Sequence, residues 1–145
     1  MNLSKNAKFT LHSTAVAAGT TDITPSSGID MQGFEECTFL VVFGAITASA
    51  VTSIKVQQSA DDSSYADLEG TSVTVADTDD DKVFHVTIRN PTDRYLKCII
   101  DRGTANAVLN SIVAVQTGPK VMPTTHDSST HGGGETHVGP AEGTA

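Results

Sequence analysis

The chain has 145 residues and a formal net charge of -8 at pH 7, with a sequence pI of about 4.8. Its length suits one domain, because a folded part of about 120 residues can bury a core without a metal or a disulfide scaffold. The acidic balance disfavours general binding to nucleic acid and to anionic membranes, so we expect neither partner.

The start of the chain and its two cysteines indicate a protein that matures in a reducing cytoplasm. Residues 1–19 lack the basic start and continuous apolar stretch of a secretory signal, and no apolar run reaches the ~18 residues of a membrane span. Cys37 and Cys98 each lie in an apolar, strand-like run. We predict buried free thiols, although the sequence leaves a disulfide between them open.

Residues 1–33 are predicted to form an N-terminal strand and a loop. Residues 8–18 are rich in Thr, Ala and Val, as in a strand. Residues 19–33 contain Pro25, Ser26 and Gly28, so they are predicted to form a loop or a short bridging segment.

Residues 36–46 are predicted to form the most deeply buried strand. Cys37, Phe39, Val41 and Phe43 would share one face, and Thr38, Leu40 and Val42 the other. A strand that is apolar on both faces is covered on both sides. It would therefore lie at the centre of a sandwich or be buried by another subunit.

The rest of the core alternates apolar and polar residues between turn signals. The further predicted strands are 51–59, 65–68, 72–76, 83–89, 95–101 and 108–117. Helical periodicity is weak throughout. Seven or eight strands of this kind predict an all-β fold, a single β-sandwich or jelly-roll-like domain. Its core would consist of residues 34–120 together with the N-terminal strand 8–18.

Residues 121–145 are predicted to form an extended, flexible tail rich in Gly, His and Thr. The segment holds too little apolar surface to offset its ordering entropy, so we expect a partner to be needed to order it. Its three histidines, His126, His131 and His137, have no cysteine or rigid element beside them. We therefore predict no metal site there.

Other candidate sites have structural interpretations. The acidic loop 77–81 could hold calcium, but it lacks the glycine and the final glutamate of an EF-hand, so we predict a solvated turn. Residues 59–65 resemble an Asp-box hairpin, which shapes a turn. His85 is predicted to face solvent. Without a catalytic motif, we predict no catalytic residues, no cofactor and no enzymatic activity.

A resemblance suggests a role for the second half of the chain. Segments 54–59, 64–68, 94–97, 101–104 and 112–115 together resemble small virion proteins encoded among the head genes of tailed bacteriophages, which are similar to capsid decoration, or cement, proteins. The resemblance implies a β-sandwich, typically a homotrimer, that binds the major capsid protein on the outside of an HK97-type shell. It also implies a virion location after synthesis in the bacterial cytoplasm.

For such a protein we predict attachment through residues 1–8 and 20–33. Lys5 and Lys8 would meet acidic capsid surface, with Pro25 and Ser26 in the loop. The neighbouring pairs Asp93-Arg94 and Asp101-Arg102 are predicted to be surface or interface pairs, so Arg94 and Arg102 complete the interface set.

Two other functions stay open. A phage tail-tube, tail-terminator or neck protein would assemble as a ring, often hexameric. A carbohydrate-binding module would need an aromatic platform, and a chain with no Trp and two Tyr offers little surface for sugar stacking.

Overall fold

The computed structural model describes residues 2–144, which form ten strands and one short helix. In chain order these are α1 (Leu3–Asn6), β1 (Lys8–Ser13), β2 (Val16–Gly19), β3 (Ile29–Asp30), β4 (Glu36–Ile46), β5 (Thr52–Ser59), β6 (Ala66–Asp67), β7 (Val73–Val75), β8 (Val83–Arg89), β9 (Tyr95–Arg102) and β10 (Ala107–Thr117).

The strands build two antiparallel sheets packed face to face. The front sheet has the order β1-β10-β4-β8, and β2 also pairs with β10. The back sheet has the order β3-β9-β5-β6, and β7 also pairs with β5. This confirms the predicted all-β sandwich.

The core lies between the sheets and follows the alternation of the sequence. On β4, Cys37, Phe39, Val41 and Phe43 are fully buried, as predicted. They meet β9, where Leu96, Cys98 and Ile100 are also fully buried. The Phe84 ring on β8 meets the Phe43 ring edge to face, with centroids 5.7 Å apart.

The N-terminal region differs from the prediction in detail. The single strand expected over 8–18 is two strands, β1 and β2, which both pair with β10. β2 then pairs with the first half of β10, around Leu109. The expected loop contains β3, which pairs with β9, so more of this region belongs to the sandwich than the sequence indicates.

Cys37 and Cys98 are free and buried, on inner faces of opposite sheets. Burial raises the pKa of both thiols, that of Cys98 to about 12. Because the thiolate is the reactive form, both behave as small core hydrophobes. Within residues 2–144, no helix is long and apolar enough to cross a membrane.

Candidate interaction surfaces

The outer side of the front sheet, here called the front face, is largely apolar. Its side chains on β1, β10, β4 and β8 are Phe9, Leu11, Val113, Val115, Thr38, Leu40, Val42, Val83, His85 and Thr87. Leu11 is 39% exposed and Val83 64%, while Leu40, Val42 and Val113 are half-buried. His85 is exposed, as predicted. The second apolar side of β4 therefore faces outward.

The register makes the front face continuous. Leu11 lies opposite Val113, Val113 lies opposite Leu40, and Leu40 lies opposite His85. The charged pair on this face, Glu36 and Arg89, stands at one corner with 3.1 Å between Oε2 and Nε. The centre of the face therefore carries no Lys, Arg, Asp or Glu side chain.

The outer side of the back sheet is polar and internally paired. Lys55 contacts Asp67 at 3.2 Å and Asp101 at 3.5 Å. The Gln57 amide donates to Asp67 at 2.6 Å, and Lys97 Nζ lies 3.9 Å from the centre of the Tyr65 ring. The two outer sides of the sandwich thus differ sharply in polarity.

A second surface forms where the two ends of the chain meet. The Thr124 N–H donates to the Lys5 carbonyl at 3.0 Å, and the Thr124 hydroxyl donates to the Ala7 carbonyl at 2.8 Å. His126 stacks on Phe9 and on His131, with ring centroids 5.6 and 4.1 Å away. We call residues 2–9 and 119–126 the terminal surface.

The terminal surface collects lysines that have no acidic partner. Among residues 2–144, Lys5, Lys8 and Lys120 are in no ion pair, whereas Lys55, Lys82, Arg89 and Arg94 each contact a carboxylate. Lys97 and Arg102 are in no ion pair either, but Lys97 lies over the Tyr65 ring and Arg102 binds backbone carbonyls. Lys8 and Lys120 line one shallow cleft with Gln32 and Phe34, and no carboxylate lines it.

Exposed apolar side chains stand on the same terminal surface. Val121 is 78% exposed, Met122 63% and Leu3 45%, so this surface holds three of the seven large hydrophobic side chains that are exposed within residues 2–144. Of these residues, Lys5 and Lys8 alone are predicted from the sequence to contact a partner. Lys120 and its apolar neighbours lie in no sequence motif. They join this surface because the tail packs against the N-terminal segment.

The acidic loop lies at the opposite end of the sandwich. Its carboxylates accept backbone N–H groups: Asp77 from Ser49 at 2.7 Å, Asp79 from Ala76 at 3.0 Å and Asp80 from Ile46 at 2.5 Å. The loop thus anchors the β7–β8 connection to the end of β4. In the described part of the chain, no group of three or more His, Cys, Asp or Glu side chains is placed to hold a metal ion.

The Asp-box-like segment is a structural turn. The Asp61 carboxylate accepts the N–H groups of Ser63 at 3.0 Å and Ser64 at 2.9 Å. The Ser64 and Ser63 N–H bonds, with the bonds from the Ser59 and Ser63 hydroxyls, hold the pKa of Asp61 well below its usual range. Asp62 accepts from the Gly28 N–H at 2.7 Å and so ties the N-terminal loop to this turn.

The six predicted interface residues differ in how far they are exposed. Lys5 and Ser26 are exposed and Lys8 is half-buried. Arg94 is exposed and binds Asp30 through two hydrogen bonds, of 2.8 and 2.7 Å. These bonds hold the pKa of Asp30 below its usual range. Asp93 is therefore not the partner of Arg94.

Arg102 and Pro25 are buried within the chain, unlike the other predicted interface residues. Arg102 is 6% exposed; its guanidinium donates to the carbonyls of Thr21 at 2.6 Å, Ala17 at 2.9 Å and Ala107 at 2.8 Å. Asp101 instead pairs with Lys55. Pro25 is buried within the chain itself. Arg102 thus holds the N-terminal loop on the sandwich, and both residues have little surface left for a partner.

Comparison with known proteins gives no assignment: no family model matches the sequence, and no curated protein matches it.

Proposed function

We propose that the protein is a capsid decoration subunit, which binds the outside of a tailed-phage head through the terminal surface and stabilises it. The observation that carries this proposal is the gathering of the unpaired lysines Lys5, Lys8 and Lys120 with exposed apolar side chains. Unpaired cations steer an acidic protein onto an acidic partner surface, and the apolar side chains add contact area once it is bound.

The charge distribution favours this orientation. Lys120 donates its N–H to the Gly33 carbonyl at 2.9 Å, just before β4 begins, whereas Asp80 binds Ile46, where β4 ends. The 11 residues of β4 separate the two regions by about 30 Å. When the terminal surface faces an acidic shell, the acidic loop points away from it and repulsion is small.

Repetition around the shell makes modest single contacts sufficient. Subunits that bind as a homotrimer engage several capsid sites at once, so the combined affinity exceeds that of each site. The proposed partners are the major capsid protein and other copies of this chain. The proposed location is the capsid exterior.

Rebinding to stripped heads tests the proposal. The heads come from the phage whose genome encodes this chain, and the full-length protein is added back. Replacing both Lys8 and Lys120 with Gln is expected to weaken binding about tenfold, or about 1.4 kcal/mol. The matched control, Lys55→Gln with Lys82→Gln, changes the net charge equally on other surfaces and is expected to bind within about twofold of wild type.

Circular dichroism of each variant separates loss of contact from loss of fold. Equal weakening by both pairs would mean that net charge, and not the terminal surface, governs binding. Binding that neither pair changes would reject attachment through the terminal surface. If the protein forms hexameric rings in solution and joins tails instead of heads, the tail-tube, terminator or neck function replaces the decoration function.

A further inference from the structure

We infer that the front face is the surface through which copies of this chain associate with one another. The inference deepens the proposed function, on which it rests only for the expectation that copies assemble. It concerns a surface distinct from the terminal surface and can be tested on the free protein.

The chemistry of the front face selects an apolar partner. The Thr38 and Thr87 hydroxyls bind each other across 2.9 Å, so neither needs a partner from another molecule. The side chains of Leu40, Val42 and Val113 on the same face are apolar. The free energy falls when a second apolar face removes an apolar sheet face from water. The outer side of the back sheet, with Lys55 and its two carboxylates, offers no such surface.

The charge distribution permits a second copy as that partner. The chain carries a net charge of -8, so two copies repel each other wherever their acidic loops approach. On the front face, the Glu36–Arg89 pair is already neutralised within the chain. Contact through this face keeps the loop at 77–81, at the far end of β4, at the margin of the interface.

The size of the front face fits a reversible interface. Four strands about 4.8 Å apart, each about seven residues long, give a flat area of roughly 450 Å². This area ignores the extra surface of side chains that project from the sheet. Patches of this size are the largest on typical monomers and are often functional, and a stable interface buries about 800 Å² on each partner. The front face by itself has about half that area, which fits a weak, reversible association.

The tail covers the front face at its β1 margin alone. His126 and His131 stack over Phe9 at the β1 margin, whereas Leu40 lies beyond β10 in the sheet order. The face is therefore accessible for sheet-on-sheet packing, in which two apolar faces lie about 10 Å apart.

Sedimentation equilibrium of the full-length protein tests the inference, from about 1 µM to 1 mM, where reversible interfaces of this size dissociate. The mass is expected to rise from 15.1 kDa to two or three times that value. The association is expected to persist or strengthen at high salt, because the contact is apolar.

The disrupting variant is Leu11→Lys with Thr87→Lys. Leu11 is 39% exposed and Thr87 is exposed, so both lysines reach water in a single chain, but they would be buried unpaired between two front faces. Association should weaken at least about tenfold, since an unpaired charge is costly to bury. The matched control is Ala66→Lys with Thr74→Lys, at two exposed strand positions of the back sheet, and should change association less than about threefold.

Three results would overturn the inference: a mass of 15.1 kDa at every concentration, equal effects of the two variants, or association that salt abolishes. None of these bears on head binding by the lysine variants, so failure of this inference and failure of the proposed function are distinguishable.

Discussion

The Cys98 N–H donates a hydrogen bond to Nε2 of His12 across 3.2 Å, so a side chain from the front sheet completes the backbone pairing of the back sheet. The His12 ring also lies against Phe39, with centroids 5.3 Å apart. Because Nε2 accepts this bond, it carries no proton. The contact joins the two sheets only while His12 is neutral.

This contact predicts a loss of stability in mild acid. Burial, with the Lys97 charge nearby, lowers the pKa of His12 from 6.5 to about 4. The unfolded chain therefore takes up a proton between these values while the folded chain does not. The free energy of unfolding should fall by about 2 to 3 kcal/mol as the pH drops from 7 to 4.5.

Urea denaturation at the two pH values measures that loss. The control is His12→Gln, whose amide can still accept the Cys98 N–H but does not titrate. The variant is expected to lose much less stability over this range. Parallel pH profiles for wild type and variant would show that His12 is not the group responsible.

Arg102 is predicted to be far more important for stability than Arg94, although both follow an aspartate in the sequence. Arg102→Ala leaves the carbonyls of Ala17, Thr21 and Ala107 without their shared donor. Unfolding free energy should fall by about 3 kcal/mol, because buried groups lose charge-assisted bonds. Arg94→Ala removes an exposed pair with Asp30 and should have a small effect. Equal losses in chemical denaturation would contradict this account.

Thr52→Val is predicted to stabilise the protein. Thr52 is 2% exposed, and its hydroxyl has no hydrogen-bond partner among the described residues. Valine keeps the shape and removes the unpaired hydroxyl, so unfolding free energy should rise by about 1 kcal/mol. Thermal denaturation gives the sign; a lower melting temperature would mean that the hydroxyl is satisfied in solution.

Gly118→Ala tests how the tail is directed toward the N-terminal segment. Gly118 has a φ of 64°, and a Cβ there would lie 2.8 Å from the Glu35 Cβ. The substitution should destabilise the protein by about 1 kcal/mol or more, because the conformation favours glycine and space is lacking. Hydrogen exchange at the Thr124 N–H should accelerate as well.

Gly134→Ala is the control for this prediction, since a Cβ there would have no atom within 4 Å. It should change neither stability nor exchange at Thr124. If Gly118→Ala left both unchanged too, the turn after β10 would not direct the tail.

The sequence predicts the parts of this fold that depend on local alternation. β4 and β8 follow their period-two patterns, and the apolar second side of β4 already indicated either a central position or burial by another subunit. β4 is flanked by β10 and β8 in its sheet, but its second apolar side faces outward. The burial of that side by another subunit stays a prediction.

The remaining features depend on contacts between residues far apart in the chain. The guanidinium of Arg102 is buried because it binds the carbonyls of Thr21 and Ala17, about 80 residues earlier in the chain. The local sequences Asp101-Arg102 and Asp93-Arg94 are alike, so they do not indicate which arginine is buried. The terminal surface joins Thr124 to Lys5 across 119 residues. No local pattern identifies such a meeting, and Lys120 was therefore missed.

Mass spectrometry of purified, intact phage particles is the decisive test of the proposed decoration function. We expect this chain on DNA-filled heads in fixed proportion to the major capsid protein, and we expect less of it on heads when Lys8 and Lys120 are both replaced by Gln. The proposal fails if heads lack the chain or if the chain is recovered in tails alone.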